Sequence, residues 1–189
     1  MKRAGIGDKN LIVDILCESF RNNLSVNYIL NQSGDKTKRL KNLMDYSFEV
    51  CHAFGEVFLS DDHKACALVL YPDQKRTTLK SIFLDVKLIV GTLGIRNIFK
   101  AMSREKVIKS NYPNQPFYYL WFIGVSVPDQ HKGIGSKLLE ELMEDANQKG
   151  RSVYLETSTE KNLSWYKKFG FSNYNKLDFG YTLFLFKKH

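Results

Sequence analysis

One stretch limits the possible folds more than any other. An apolar run from Phe117 to Val127 feeds a loop, Pro128 to Lys132. Then come Gly133-Ile134-Gly135-Ser136 and a helical pattern to about Lys149, with a stop at Gly150. A buried strand that meets a helix start through glycines is suited to hold an anion. The first N–H groups of a helix lack intrahelical partners, and the helix dipole favours negative charge there. Glycine allows close backbone approach because no Cβ intervenes. Taken alone, the pair Gly133-x-Gly135 is weak evidence, since glycines also close turns for structural reasons.

A chain of 189 residues, 43% hydrophobic and 25% charged, is long enough for a real core and reads as a single globular domain over residues 1–189. Its apolar runs are too short to span a membrane, and MKRAGIGDKNL lacks the apolar core of a signal peptide. Cys17, Cys51 and Cys66 are odd in number and widely spaced, which fits reduced thiols and a cytoplasmic location. His52, His63, His131 and His189 show no zinc-ligand spacing, so no metal is expected. The net charge of +8 raises nucleic acid or an acidic partner as possibilities. The lysines read as scattered, however, and a polyanionic cofactor alone would favour a basic cleft. Neither nucleic acid nor membrane is expected as a partner.

Read in order, the chain starts with a strand confined to about Met1–Ile6. A helix follows, capped by Asp8 or Asn10, with Leu11, Ile12, Ile15, Leu16 and Phe20 at helical spacing. Ser33-Gly34-Asp35 breaks the chain, and a second helix runs from about Thr37 to Ala53, with Gly55 expected as its C-cap. Glu56–Ser60 and Ala65–Tyr71 form a β-hairpin. Residues 78–110 read as a helical insertion. Leu79, Ile82, Phe83, Val86, Ile89, Val90 and Leu93 keep a helical period; a break is expected at Gly91 and Gly94; Ile95, Ile98, Phe99 and Met102 resume it. Asp85, Lys87, Arg96 and Lys100 interrupt this pattern, which favours core packing or a substrate lid over a membrane-facing role. After Gly150 come a buried strand, Ser152–Thr157, a short helix, Asn162–Phe169, ended by Gly170, and two strands, Phe171–Lys176 and Tyr181–Phe186.

Element order sharpens the glycine pair. Gln130-His131-Lys132-Gly133-Ile134-Gly135 follows a strand and opens an amphipathic helix, and Tyr166-Lys167-Lys168-Phe169-Gly170-Phe171 lies downstream. In these two motifs the sequence resembles the GCN5-related N-acetyltransferase (GNAT) family. The tract LETSTEKNLSWYKKFGF looks like that family's puromycin acetyltransferase-like branch. The resemblance is carried by residues 117–174; before that only the element order agrees.

The resemblance implies an α+β, three-layer fold: a central, mostly antiparallel sheet, splayed between strands four and five, with helices on both faces. It implies acetyl-CoA as donor, a primary amine of a small molecule as acceptor, and direct attack in a ternary complex. A non-catalytic acyl-CoA-sensing domain, or an enzyme acting on protein N-termini or lysines, is the alternative. The backbone at Ile123, Val125 and Val127 would flank the pantetheine arm, helped by a strand bulge that opens the slot. N–H groups of Gln130, His131, Lys132, Gly133, Ile134, Gly135 and Ser136 would hold the pyrophosphate. Asn162 would contact the cofactor arm, and Tyr166 would face the thioester sulfur. Two departures stand out: the family's proline is shifted by one, to Pro128, and its asparagine seven before the tyrosine is Thr159 here. Asn162 therefore has a second reading, as a helix N-cap.

A phenol near pKa ~10 and a thiol near ~8.5 make full proton transfer to the leaving thiolate uphill by roughly 2 kcal/mol. Tyr166 thus reads as a hydrogen-bond donor to developing charge, or else as a plain core aromatic. Glu156, in the apolar strand Val153–Thr157, reads as the general base or as a hydrogen-bonding partner of a neighbouring strand. A weakly basic arylamine acceptor would need no base. His131 reads as an exposed loop residue. Tyr118, Tyr119, Trp121 and Phe122 alternate on the central strand, and their faces depend on where the bulge falls.

Overall fold

The computed structural model describes residues 1–30 and 34–189. Ser33 of the expected chain break lies outside them, and the side chains of Val90, Ile95 and Arg96 in the helical insertion are likewise not described. Seven strands form one sheet in the order β1-β2-β3-β4-β5-β7-β6. They are β1 (Lys2–Arg3), β2 (Gly55–Leu59), β3 (Ala65–Leu70), β4 (Tyr118–Val125), β5 (Val153–Thr157), β6 (Ser172–Asp178) and β7 (Thr182–Lys188). Every pairing is antiparallel except β4 with β5, which is parallel and joined only at Tyr118–Val153 and Tyr119–Tyr154. Beyond Tyr119 the two strands diverge, which is the expected splay.

Helices cover both faces of the sheet, as expected. α1 (Lys9–Phe20) and α3 (Lys36–Phe54) bury Ile12, Leu16, Leu40, Met44 and Phe48 against one face, with Tyr119, Phe122 and Tyr154. α6 (Ile134–Gln148) and α7 (Lys161–Lys168) cover the other with Leu138, Leu139, Leu142 and Tyr166, against Tyr118, Leu120, Val153 and Leu155. Apolar residues at i, i+3 and i+4 on each helix produce these stripes. Asp35 caps α3 through its carboxylate, which accepts from Lys38 N–H at 3.0 Å. The short helix α2 (Leu24–Ile29), capped by Asn23, was not legible in the sequence; six residues are too few for a periodic signal.

Three local expectations are modified. Gly55 is the C-cap of α3, but with φ −170° and not in the left-handed form usual for a C-cap glycine. It opens β2 in extended backbone, and a Cβ there would meet the Val69 carbonyl oxygen at 2.1 Å, so glycine is required for close approach. The break expected at Gly91 and Gly94 is a change of helix type and not a loop. α4 (Leu79–Leu88), a π-turn (Ile89–Leu93) and α5 (Gly94–Lys109) form one uninterrupted helical run. The wider π-turn takes in Gly91, and Asn42 Nδ2 donates to Gly91 C=O at 3.1 Å to hold it. Finally, only part of the insertion's apolar stripe packs inward. Leu84 and Leu93 are buried, whereas Leu79, Ile82, Phe83 and Val86 are exposed.

Candidate active site

The site begins with a defect in β4. Leu68 of β3 faces Phe122 while the next residue, Val69, faces Leu120, so Trp121 is one residue extra. This bulge resets the alternation of side chains. Tyr118 and Leu120 point to the α6 face and Tyr119 to the α1 face; Trp121 and Phe122 then both lie on the α1 face. Ile123 and Val125 are thereby delivered to the α6 face, beside the helix start.

The splay leaves the far edge of β4 open. Ser126 N–H donates to Lys64 C=O at 2.8 Å, across to the β3 side. By the alternation of an antiparallel ladder, the peptide groups of Ile123 and Val125 face the opening. The Val125 carbonyl is already taken: Ser19 Oγ donates to it at 2.8 Å and Gln130 Nε2 at 3.2 Å. What the open edge offers is therefore both peptide groups of Ile123 and the N–H of Val125.

The α6 N-terminus closes one end of this slot. The first intrahelical bond runs from Lys137 N–H to Gly133 C=O, which leaves the N–H groups of Ile134, Gly135 and Ser136 in the orphaned first turn. Gly133 adopts φ +80°, a left-handed conformation that other residues rarely take. Gly135 serves a different need, since a Cβ there would sit 3.1 Å from a Val125 methyl carbon. The Ser136 hydroxyl accepts from Trp165 Nε1 at 3.0 Å, so its own proton remains available to donate.

Not every loop residue named from the sequence is placed alike. Gln130 N–H donates to Val127 C=O at 3.3 Å and is not a free donor. Val127 is 52% exposed in a 3-10 turn and does not line the cleft. Lys132 turns its ammonium to Asp129 at 2.9 Å, and the Lys132 and Lys64 ammonium groups hold that carboxyl below its ordinary range. Ile134 packs against the α6 core. His131 is exposed, with φ +62°. Asn162 is not the N-cap of α7; that position is Glu160, and Asn162 lines the cleft.

The open edge and the loop belong to a cleft of about 1490 Å³ that also reaches Glu156, Tyr166, Arg104 and the inner side of the insertion. Tyr166 and Glu156 enter it from opposite faces of the sheet. The Tyr166 ring is 4% exposed and packs against Trp165, Phe171 and Phe186 on the α6 face. Its hydroxyl has no hydrogen-bond partner among the described residues, and burial pushes the phenol well above its ordinary pKa. It is a neutral donor with nothing yet to donate to.

Glu156 alternates with Val153 and Leu155 on β5 and so projects to the α1 face. The hydroxyl of Tyr119 donates to Glu156 Oε2 at 2.5 Å. Burial raises the Glu156 carboxyl to about 7, while the Tyr119 hydrogen bond and the Arg104 charge pull it down and Glu105 pushes it up. Arg104 is held by the Tyr181 hydroxyl at 2.9 Å and Ser25 Oγ at 2.5 Å. Neither Tyr119 nor Arg104 stood out in the sequence as a partner of Glu156. Tyr119 read as one aromatic among several, and Arg104 lies in an insertion with no recognisable motif. The arrangement can do acid–base chemistry across the gap: a proton acceptor tuned near neutrality on one side, a phenolic donor on the other.

A profile of the acetyltransferase (GNAT) family matches residues 44–171. Solved structures of like fold include one described as histone acetyltransferase HPA2 and related acetyltransferase, from Corynebacterium glutamicum. It is 18% identical, covers 99% of this chain and 93% of that one, and has TM-score 0.70. The C-terminal condensation domain of Ebony, in complex with beta-alanyl-dopamine, is 12% identical, covers 99% and 96%, and has TM-score 0.71. A mosquito arylalkylamine N-acetyltransferase-like protein is 12% identical, covers 99% and 97%, and has TM-score 0.58.

Proposed function

This chain belongs to the acetyltransferase (GNAT) family, and from that premise we propose that it transfers an acetyl group from acetyl-CoA to a primary amine of a small molecule. The supporting observation is the meeting of two half-sites through the splayed sheet. The open β4 edge and the unpaired start of α6 lie on the α6 side, and the Glu156 carboxyl lies on the α1 side.

The residues present fit coenzyme A on geometric grounds. Gly135 leaves the helix start against Val125 free of a Cβ, and the peptide groups of Ile123 stand unpaired along the slot. The N–H groups of Ile134, Gly135 and Ser136 would receive the pyrophosphate, and Asn162 would meet the cofactor arm. When bound, acetyl-CoA supplies an activated acetyl thioester. The chain's residues then do three things. The slot holds the two reactants together, which removes most of the entropic cost of their encounter. Glu156 accepts the amine's proton. With its carboxyl at about 7 instead of 4.5, transfer from an ammonium of pKa ~10.4 is less uphill by about 3 kcal/mol. Tyr166 donates a hydrogen bond to the sulfur as charge develops there.

The acceptor side favours an amine that carries a flat apolar group. Tyr46, Trp121 and Phe122 line it, with Tyr46 and Trp121 edge to face at 6.4 Å. Thiol release from acetyl-CoA with a panel of amines tests the reading. Arylalkylamines are expected to outperform small aliphatic amines in kcat/KM, and no release with any amine sinks the proposal.

Two further outcomes are expected. Gly135→Val forces a side chain into the 3.1 Å contact with Val125, at the mouth of the phosphate site. KM for acetyl-CoA should rise about tenfold or more, with the acceptor's KM nearly unchanged. Tyr119→Phe removes the donor that stabilises the ionised Glu156. The acid limb of kcat/KM should move to higher pH, while a limb that stays put would show that Tyr119 only packs.

A further inference from the structure

The chain's charge is concentrated in one segment. From Lys75 to Lys109 there are nine lysines and arginines against Asp85 and Glu105, a net +7 of the chain's +8. The same segment holds an inverted surface helix. α4 turns Leu79, Ile82, Phe83 and Val86 to solvent, 89, 48, 68 and 52% exposed, at i, i+3, i+4 and i+7. Ser81 and Leu84, on the opposite face, are buried. A surface helix ordinarily does the reverse. Phe99 and Met102, further along the same run, are 75 and 62% exposed. Asp85 and Lys87, which interrupt the pattern in sequence, do not interrupt the stripe in space. Asp85 turns to the Tyr46 hydroxyl at 2.7 Å, and Lys87 to Asp45 at 3.4 Å.

We propose that residues 75–109 dock on an anionic lipid surface. The α4 stripe would sink between headgroups, and the exposed Lys75, Arg76, Lys87 and Lys100 would meet the lipid phosphates. A stripe of large apolar side chains on a segment with several exposed basic side chains is the combination such a surface selects. A second copy of this chain fits poorly, since it would set the exposed Lys75, Arg76, Lys87 and Lys100 against their own copies. A nucleic-acid backbone has no use for the stripe. Among the described residues no helix is long and apolar enough to cross a membrane, so the segment lies on the lipid. Leu88, Leu93 and Ile98 of the same run line the cleft, so docking sets the cleft wall beside the bilayer.

Flotation of the full chain with phosphatidylcholine vesicles, with and without phosphatidylserine, tests this. Wild type should float only with phosphatidylserine, and less at high salt. Leu79→Ser with Phe83→Ser should cut bound protein about tenfold or more, and Lys75→Glu with Arg76→Glu should do likewise. These side chains are exposed, and an unchanged circular dichroism spectrum confirms folding. Three results would overturn the proposal: no flotation with phosphatidylserine at low salt, flotation unaffected by the serine pair, or a lipid-free dimer in sedimentation that the serine pair abolishes.

Discussion

Glu156→Gln is expected to lower kcat/KM for an alkylamine by about 10²- to 10³-fold, the range over which a positioned general base contributes. The substitution keeps the size of the side chain and an oxygen for the Tyr119 hydroxyl, so the lost activity reports the lost base. In wild type the ionised carboxylate is the competent form, so the rate should climb through an acid limb near the carboxyl's value of about 7. That limb should vanish in the variant. A stability effect of opposite sign accompanies it. The folded carboxyl titrates near 7 against 4.5 for an ordinary one, so the folded state holds its proton more tightly than the unfolded chain. Its stabilising share is complete below about pH 4.5 and is lost as pH rises through about 7. Above that the ionised group costs on the order of 2–3 kcal/mol. Glu156→Gln should therefore melt higher than wild type at pH 8 and nearly alike at pH 4. Full activity in the variant would leave Glu156 a structural partner of Tyr119.

Tyr166→Phe is expected to lower kcat by about 10²-fold with little change in KM for acetyl-CoA. The ring's contacts with Trp165, Phe171 and Phe186 are retained, and only the hydroxyl is removed. Because burial raises the phenol's pKa, it stays neutral across the working range and serves as a donor, not as a base. The loss should grow as the leaving group becomes more basic, since more charge then resides on it. Equal loss in kcat and in acetyl-CoA affinity would reassign Tyr166 to binding. An unchanged kcat would make it a core aromatic.

The two side chains lie on opposite faces of the sheet, and the parallel contact of β4 with β5 decides whether they can meet. A sheet closed along β4 and β5 would separate Tyr166 from Glu156. Pairing that stops after Tyr119 leaves a gap through which a group on one face can reach the other.

Much of this was legible in the chain. The glycine-rich loop, the amphipathic α6, the hairpin of β2 and β3 and the stop at Gly170 are local, and local steric rules suffice to read them. Glu156 stood out as a carboxylate within an apolar strand, and Tyr166 only through the resemblance carried by Tyr166-Lys167-Lys168-Phe169-Gly170-Phe171. The tertiary structure decided where the alternation of β4 fails. A period of two predicts opposite faces for neighbours, and only the register against β3 shows that Trp121 is extra and that Trp121 and Phe122 share a face. Tyr119 and Arg104 were silent for a related reason, since their partners lie 37 and 77 residues away along the chain and no spacing rule connects them. The insertion shows the same limit from the other side. Helical periodicity established an apolar stripe over Leu79–Val86 without saying what it faces, because a sequence fixes a helix's own stripes while burial depends on what packs against them. Sequence determined the glycine-bearing loop and the helix it opens; the meeting of the two faces, and the outward turn of α4, came from packing alone.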